Sequence, residues 1–154
     1  MITSNYTTSL LVDQSPEAVF NTINNVDQWW TEKLEGTSQN VNDEFTVDFP
    51  GIHVSMQKVV ELIPGRKVKW LVTDSNLTSF QDKQEWTGTT IQFDITPTGD
   101  KTQIQFTHEG LVPDVECYNS CTRGWTYFID GSLYKLFTAG KGQPGKSLPK
   151  GELN

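Results

Sequence analysis

The chain has 154 residues, of which 35% are hydrophobic and 20% charged, a composition typical of one folded domain and not of a disordered chain. No apolar run approaches the roughly 20 residues that a membrane helix needs. Four of the twelve basic residues and one of the nineteen acidic residues lie from Lys135 onward, so the first 134 residues carry a formal charge of −10. This acidic body repels phosphate groups, and we expect neither nucleic acid nor a membrane surface as a partner.

The N-terminal half of the chain begins with a strand-like run followed by a helix start. Residues 3–13 alternate between apolar and polar side chains. Ser15 is a good N-cap, and Pro16 suits the first helical position, where a missing N–H costs nothing. A second short helix is expected to carry Trp29 and Trp30. Two short helices between a first strand and a longer series of strands suggest a sheet that curls around a space.

Five further strand-like runs follow at hairpin distances, at residues 44–49, 52–63, 67–74, 86–96 and 101–109. Their spacing and alternation predict an antiparallel, meandering sheet that is polar on its outer side. In the second of these runs Ile52, Val54 and Met56 alternate, which predicts an inward apolar face. His53 has the opposite parity and is therefore expected to face solvent.

A long helix is predicted over about residues 115–138, with an apolar stripe on one face. Gly140 follows the last apolar residue and suits a C-terminal cap. The remaining residues are rich in Gly, Pro and Lys and show no periodicity. We therefore expect a single domain over residues 1–140 and a loosely ordered basic tail over residues 141–154.

The chain contains two cysteines, Cys117 and Cys121, which lie four residues apart in the predicted helix. The N-terminus lacks the basic start and the apolar stretch of a secretory signal, which predicts a cytoplasmic protein. A disulfide within one helix is awkward and a reducing compartment disfavours it, so we expect two free, buried thiols. Two thiols are also too few for a structural zinc, and no metal or other cofactor is expected.

Four motifs in this order carry a resemblance to a known family: SPEAVF with the Trp29-Trp30 pair, VVELIP followed by VKW, TIQFDI with TQIQFTHEG, and a final helix containing Gly124-Trp125. The chain resembles the START-related (SRPBCC) superfamily, and within it the branch of heat-shock chaperone ATPase activator homologues. The resemblance implies an α+β helix-grip fold, in which a curved antiparallel sheet of about six strands wraps a long C-terminal helix. It also implies a hydrophobic cavity, but no reaction, because the superfamily mixes binders, transporters, co-chaperones and a few enzymes.

Strand parity and the helix stripe select a set of residues as the candidate lining of that cavity. The set is Phe45, Phe49, Trp70, Phe93, Phe106, His108, Gly124, Trp125 and Phe128. The alternative is a solid core, in which each aromatic side chain buries about 150–250 Å². Gly124 and Gly131 either leave room for a ligand or let the helix approach the sheet. His108 either meets a polar ligand group or is a core histidine bonded to a hydroxyl or carbonyl.

No nucleophile-base signature, phosphate-binding loop or histidine-rich metal set is visible in the sequence, so no catalytic residue is assigned. The leading hypothesis is a monomer or homodimer that binds a small apolar molecule between the sheet and the C-terminal helix. One alternative is an enzyme of the same fold, such as a cyclase, dehydratase or hydrolase, that uses His108. Another is a chaperone-interacting or regulatory module.

Overall fold

The computed structural model describes residues 5–31, 34–49, 53–77, 81, 84–113 and 115–144. Its strands are β1 (Tyr6–Val12), β2 (Glu35–Gly36), β3 (Glu44–Phe49), β4 (His53–Ile63), β5 (Lys67–Leu77), β6 (Thr90–Thr98) and β7 (Lys101–Glu109). They form one antiparallel sheet in the order β1-β7-β6-β5-β4-β3-β2. Strands β2 to β7 are paired in chain order, and β1 pairs with β7, as the predicted meander requires.

Two short helices connect the edge strands β1 and β2, as the sequence predicts. Helix α1 spans Pro16–Asn24, and the Ser15 hydroxyl accepts a hydrogen bond from the Ala18 N–H at 3.1 Å. A 3₁₀ turn, Val26–Gln28, follows and ends just before the tryptophan pair. The prediction that this second helix carries Trp29 and Trp30 is therefore wrong, because the helix ends after one turn and the two tryptophans lie in the turn that follows. This route carries the chain across the sheet from one edge to the other.

The C-terminal helix runs without interruption through three segments: α-helical Tyr118–Trp125, π-helical Thr126–Leu133 and α-helical Tyr134–Ala139. Its apolar stripe is buried against the inner face of the sheet, as predicted. The helix ends at Gly140, whose φ of 79° is the left-handed conformation that glycine adopts without strain. The curved sheet and this helix together form the α+β helix-grip fold, and the wide π turn in the middle is a feature the sequence pattern did not predict.

The inner face of β4 is the opposite of the one predicted. Met56 is exposed, whereas Ser55 and Gln57 are buried. The cause is the register with β3, in which Phe49 lies opposite His53 and Phe45 lies opposite Gln57. Cross-strand partners share a face, so the inward aromatic residues of β3 bring polar partners inward with them.

Strand β5 is longer than predicted, because it continues to Leu77, beyond the predicted end at residue 74. Strand β6 begins at Thr90, later than expected, and Trp86 lies in the turn before it. Pairing between β5 and β6 stops at Leu71 opposite Thr90. Val72 still exchanges backbone hydrogen bonds with Thr89 and Gly88, and the remainder of β5 is paired with β4. The turn that contains Trp86 lies where β5 and β6 separate.

The prediction of free thiols is wrong, because the structure joins Cys117 and Cys121 in a disulfide. Cys117 lies at the N-cap of the C-terminal helix and not inside it. The two Cα atoms are 5.6 Å apart, within the range that a disulfide spans. The objection to a disulfide within a helix therefore does not hold at a helix end.

Most of the predicted basic tail, residues 145–154, lies outside the described residues. Its first residues contact the domain: Gly142 is buried, and the Gln143 N–H donates to the Ser132 hydroxyl at 2.6 Å. The boundary at residue 140 and the looseness of the tail remain predictions.

Thiol titration of the unfolded protein without reductant should detect no free thiol, and after reduction it should detect two. Reduction should lower the free energy of unfolding by at most about 2 kcal/mol, because the disulfide closes a loop of only a few residues. Cys117→Ser should show the same loss without reductant. Two reactive thiols before reduction would show that the pair is reduced, as the compartment argument predicts.

Candidate functional site

All five tryptophans of the chain belong to one chain of ring contacts that occupies the concave side of the sheet. Trp29, Trp30 and Trp70 stack with centroids 5.8 to 6.4 Å apart. Trp30 lies 4.9 Å from Trp125 on the C-terminal helix, and Trp125 stacks on Trp86 at 5.6 Å. The part of the interior around these five tryptophans is occupied by aromatic rings, as the solid-core alternative expects.

The candidate lining residues are brought to the interior, as strand parity and the helix stripe predict. Those that carry side chains are all buried: Phe45, Phe49, Trp70, Phe93, Phe106, His108, Trp125 and Phe128. Many of them contact one another, for example Phe49 and Phe128 at 5.5 Å between ring centroids. Their placement fits a ligand site and a core equally, so their role in binding remains a proposal.

Gly124 and Gly131 differ from the other candidates because they lie beside free space. A methyl group placed on Gly124 would meet no atom within 4 Å, apart from its own helix backbone and chain neighbours. At Gly131 it would meet one backbone oxygen, that of Thr126, at 4.0 Å. A close approach of the helix to the sheet therefore does not require either glycine. Both glycines are partly exposed, so the space beside them reaches solvent, and its use by a ligand is a proposal.

His108 joins the sheet to the C-terminal helix through a complete set of hydrogen bonds. The indole N–H of Trp125 donates to His108 Nδ1 at 3.0 Å, so the neutral ring carries its proton on Nε2. Nε2 lies 2.8 Å from the Thr89 hydroxyl, which in turn donates to the Trp86 carbonyl at 2.6 Å. His108 is thus a satisfied core histidine, as one of the two sequence-based readings expects.

A second polar group, which we call the β4 row, consists of His53, Ser55 and Gln57 on the inner face of β4. The Gln57 amide Nε2 donates to Ser55 Oγ at 2.5 Å, and Ser55 Oγ lies 2.8 Å from His53 Nε2. The His53 ring packs against Trp86 with centroids 4.5 Å apart. His53 is partly buried and faces the interior, so the prediction that it faces solvent is wrong.

Two polar atoms near this row are buried without a hydrogen-bond partner: Gln57 Oε1 and Trp70 Nε1. Both residues are completely buried. Since Val59 lies opposite Trp70 and Gln57 lies opposite Val72, the two residues are diagonal neighbours on adjacent strands. The Phe45 ring, from the cross-strand partner of Gln57, lies 5.0 Å from Trp70. A residue with an unpaired donor and a residue with an unpaired acceptor therefore occupy diagonal positions on the inner face of the sheet.

Burial lowers the pKa of both histidines. The pKa of His108 falls to about 3, first through burial and then through the proximity of His53. Burial lowers the pKa of His53 to about 4. Both rings are therefore neutral at physiological pH.

The buried polar side chains in the described part of the chain are neutral: none is Asp, Glu, Lys or Arg. Arg123 is exposed and contacts Ser120, so it does not reach inward. Within the same residues, no three His, Cys, Asp or Glu side chains are grouped so that they could hold a metal ion. The interior therefore offers neutral hydrogen-bonding groups on an aromatic background.

The β4 row and Trp86 are the components that the sequence analysis missed. The apolar pattern of Ile52, Val54 and Met56 pointed to the wrong face. A usable signal existed in the hairpin itself: a three-residue connection after Phe49 places His53 opposite it, and therefore on the same face.

The family described as Activator of Hsp90 ATPase homolog 1-like protein matches residues 13–138. The chain belongs to this family. No curated protein matches its sequence. Among the described residues, no helix combines the length and the apolarity that a membrane crossing requires.

Solved structures of similar fold agree with this assignment. The solution structure of the Aha1 dimer from Colwellia psychrerythraea is 25% identical, with a TM-score of 0.74, and the match covers 90% of this chain and 99% of that one. Protein MLL2253 from Mesorhizobium loti is 19% identical, with a TM-score of 0.65 and coverage of 90% and 100%. CalU16 from Micromonospora echinospora is 13% identical, with a TM-score of 0.61 and coverage of 94% and 88%. The last two likenesses concern the fold alone.

Acidification should destabilise the domain through its two histidines. Their folded pKa values lie below the ordinary value of 6.5, so the stabilisation is complete above pH 6.5 and is lost as the pH falls towards 4 for His53 and 3 for His108. Over that range each histidine lowers the free energy of unfolding by up to about 1.4 kcal/mol for each pH unit of acidification. Because His53 keeps some contact with water, we expect His108 to cause the larger part of this loss of stability.

The measurement is the free energy of unfolding in urea between pH 7 and pH 4.5, for the native protein and for His108→Gln. The variant should be less stable at pH 7 but lose less stability on acidification. The carboxylates are the same in both proteins, so they cancel in the comparison. Equal slopes would mean that His108 is protonated in the folded state.

Proposed function

We propose that this domain binds a small, largely apolar molecule between the sheet and the C-terminal helix. The observation that carries the proposal is the open space beside Gly124 and Gly131, which are partly exposed and lie next to the buried residues Trp125 and Ser132 on the C-terminal helix. Each glycine costs about 1 kcal/mol of helix stability relative to alanine, so a pair of them within one helix is expensive unless the space is used. The wide π turn that contains Gly131 lies on the same segment, and such turns are frequent at functional sites.

The lining supports an apolar ligand with a polar group. Aromatic rings supply most of the surface, and the β4 row supplies neutral hydrogen-bonding groups at one place on it. Ligand sites in proteins commonly combine an apolar surface with a few placed polar groups. The family resemblance, which implies a cavity in this position, agrees with this picture.

The chemistry of His108 does not favour the enzyme alternative. Both ring nitrogens are engaged, by Trp125 and by Thr89, and a pKa near 3 makes the ring a poor base at neutral pH. A role of His108 in holding the helix on the sheet accounts for its contacts.

The family description favours a second candidate, the stimulation of a chaperone ATPase. The Aha1 dimer from Colwellia psychrerythraea matches this chain over 90% of its length, and the family match covers residues 13–138. Stimulation of the ATPase rate of an Hsp90 from the same host would support this role, and it is compatible with a monomer or a homodimer in the cytoplasm. No stimulation at saturating protein would leave ligand binding as the function.

Filling the space beside the helix should abolish ligand binding without unfolding the domain. Gly124→Leu and Gly131→Leu should each melt at the same or a higher temperature, because they gain helix propensity of about 1 kcal/mol and some side-chain burial. Uptake of the neutral fluorescent probe N-phenyl-1-naphthylamine by the native protein should be lost in both variants.

The matched control is Asn119→Leu, which adds the same side chain at an exposed position on the same helix. It should bind the probe as the native protein does. If the two glycine variants melt lower by the equivalent of about 1–3 kcal/mol, and the native protein takes up no probe, the interior is solid and the proposal is wrong.

A further inference from the structure

Among the described residues, three buried side-chain polar atoms lack a hydrogen-bond partner: Asn24 Oδ1, Gln57 Oε1 and Trp70 Nε1. The last two, an acceptor and a donor, lie on neighbouring strands of the inner face. Leaving a buried polar group without a partner costs about 1–3 kcal/mol, and native proteins rarely do so without a reason. Both residues are fully buried and are diagonal neighbours on β4 and β5. Diagonal side chains of this length can both reach one small group placed between them.

From this juxtaposition we propose that the ligand carries a neutral hydroxyl group that binds between Gln57 and Trp70. This inference rests on the proposed ligand-binding function and adds the chemical class of the ligand. A hydroxyl oxygen accepts from the Trp70 N–H, and the hydroxyl proton is donated to Gln57 Oε1. A hydroxyl is the smallest ligand group that satisfies both atoms, whereas an ether or a ketone lacks the donor.

The hydrogen bonds of the β4 row can run in either direction. In one direction Ser55 Oγ accepts from Gln57 Nε2 and donates its proton to His53 Nε2, which leaves Gln57 Oε1 as the free amide atom. In the reverse direction His53 donates to Ser55, Ser55 donates to the Gln57 amide oxygen, and the free amide atom is the nitrogen, which is a donor. A hydroxyl can accept as well as donate, so it fits either direction of the row.

The charge of the surroundings selects a neutral group over a carboxylate. The described buried residues include no Lys or Arg that could pair with an anion, and the carboxylate form of a ligand would lose its hydration without compensation. The ligand class is therefore a phenol or alcohol on an apolar, ring-sized body, a shape that matches the aromatic lining.

Three naphthalenes of similar size test this at pH 7.5 by isothermal titration calorimetry: 2-naphthol, 2-methylnaphthalene and 2-naphthoate. The native protein should bind 2-naphthol at least about tenfold more tightly than either of the others, the ratio expected from one or two buried hydrogen bonds. Gln57→Leu and Trp70→Phe should each reduce that preference over 2-methylnaphthalene to about threefold or less.

The control is Gln105→Leu, the same change at an exposed position of β7, which should keep the native preference. Should Trp70→Phe fail to fold, Gln57→Leu and the comparison of the three compounds on the native protein still decide the question. If 2-methylnaphthalene binds as tightly as 2-naphthol, ligand binding stands but the hydroxyl proposal is wrong. Water would then be the hydrogen-bond partner of Gln57 Oε1 and Trp70 Nε1. Tightest binding of 2-naphthoate overturns the neutral class, and binding of none of the three contradicts the proposed function itself.

Discussion

The pairing of Phe49 with His53 decides what the interior of this domain contains. Once the aromatic residues of β3 face the helix, the rule that opposite residues share a face carries His53, Ser55 and Gln57 inward. The polar row, the lowered pKa of His53 and the unpaired amide oxygen of Gln57 all follow from this register. A shift by one residue would exchange the row for Val54 and Met56 and make the same surface wholly apolar.

The second constraint is the buried contact between Trp125 and His108, which holds the C-terminal helix on the last strand. The ring of His108 is bonded on both sides and lies against Trp86 at 4.7 Å between centroids. The helix is thereby fixed at one end of the interior by aromatic packing. Farther along, the helix contains a π turn, in which Gly131 has open space beside it.

Much of the fold could be predicted from the sequence, because local signals agreed with the final structure. The Ser15 cap, the Gly140 cap and the alternation of β3 and β7 were each sufficient to place an element. The family resemblance added the order of the elements and the position of the interior. These features depend on propensity and periodicity, which a sequence displays directly.

The missed features depend on contacts between distant residues. The face of β4 is set by its partner strand, and its own apolar pattern pointed the other way. Trp86 looks like the start of a strand but lies in a turn because β5 and β6 separate there. The disulfide depends on the place where the helix begins, a boundary that periodicity locates poorly. The aromatic residues and His108 of the candidate site could therefore be predicted from the sequence, and the β4 row could not.

The unbroken contact among the five tryptophans has an optical consequence. Indoles at these separations exchange excitation energy, so emission does not belong to any single ring but to the set as a whole. Trp86 lies beside the disulfide: its N–H is 3.2 Å from the sulfur of Cys121, and a disulfide can quench an excited indole by accepting an electron. We therefore expect the intrinsic fluorescence of the domain to be dimmer while the disulfide is intact and brighter after reduction. Tryptophan emission would thus report whether Cys117 and Cys121 are oxidised or reduced.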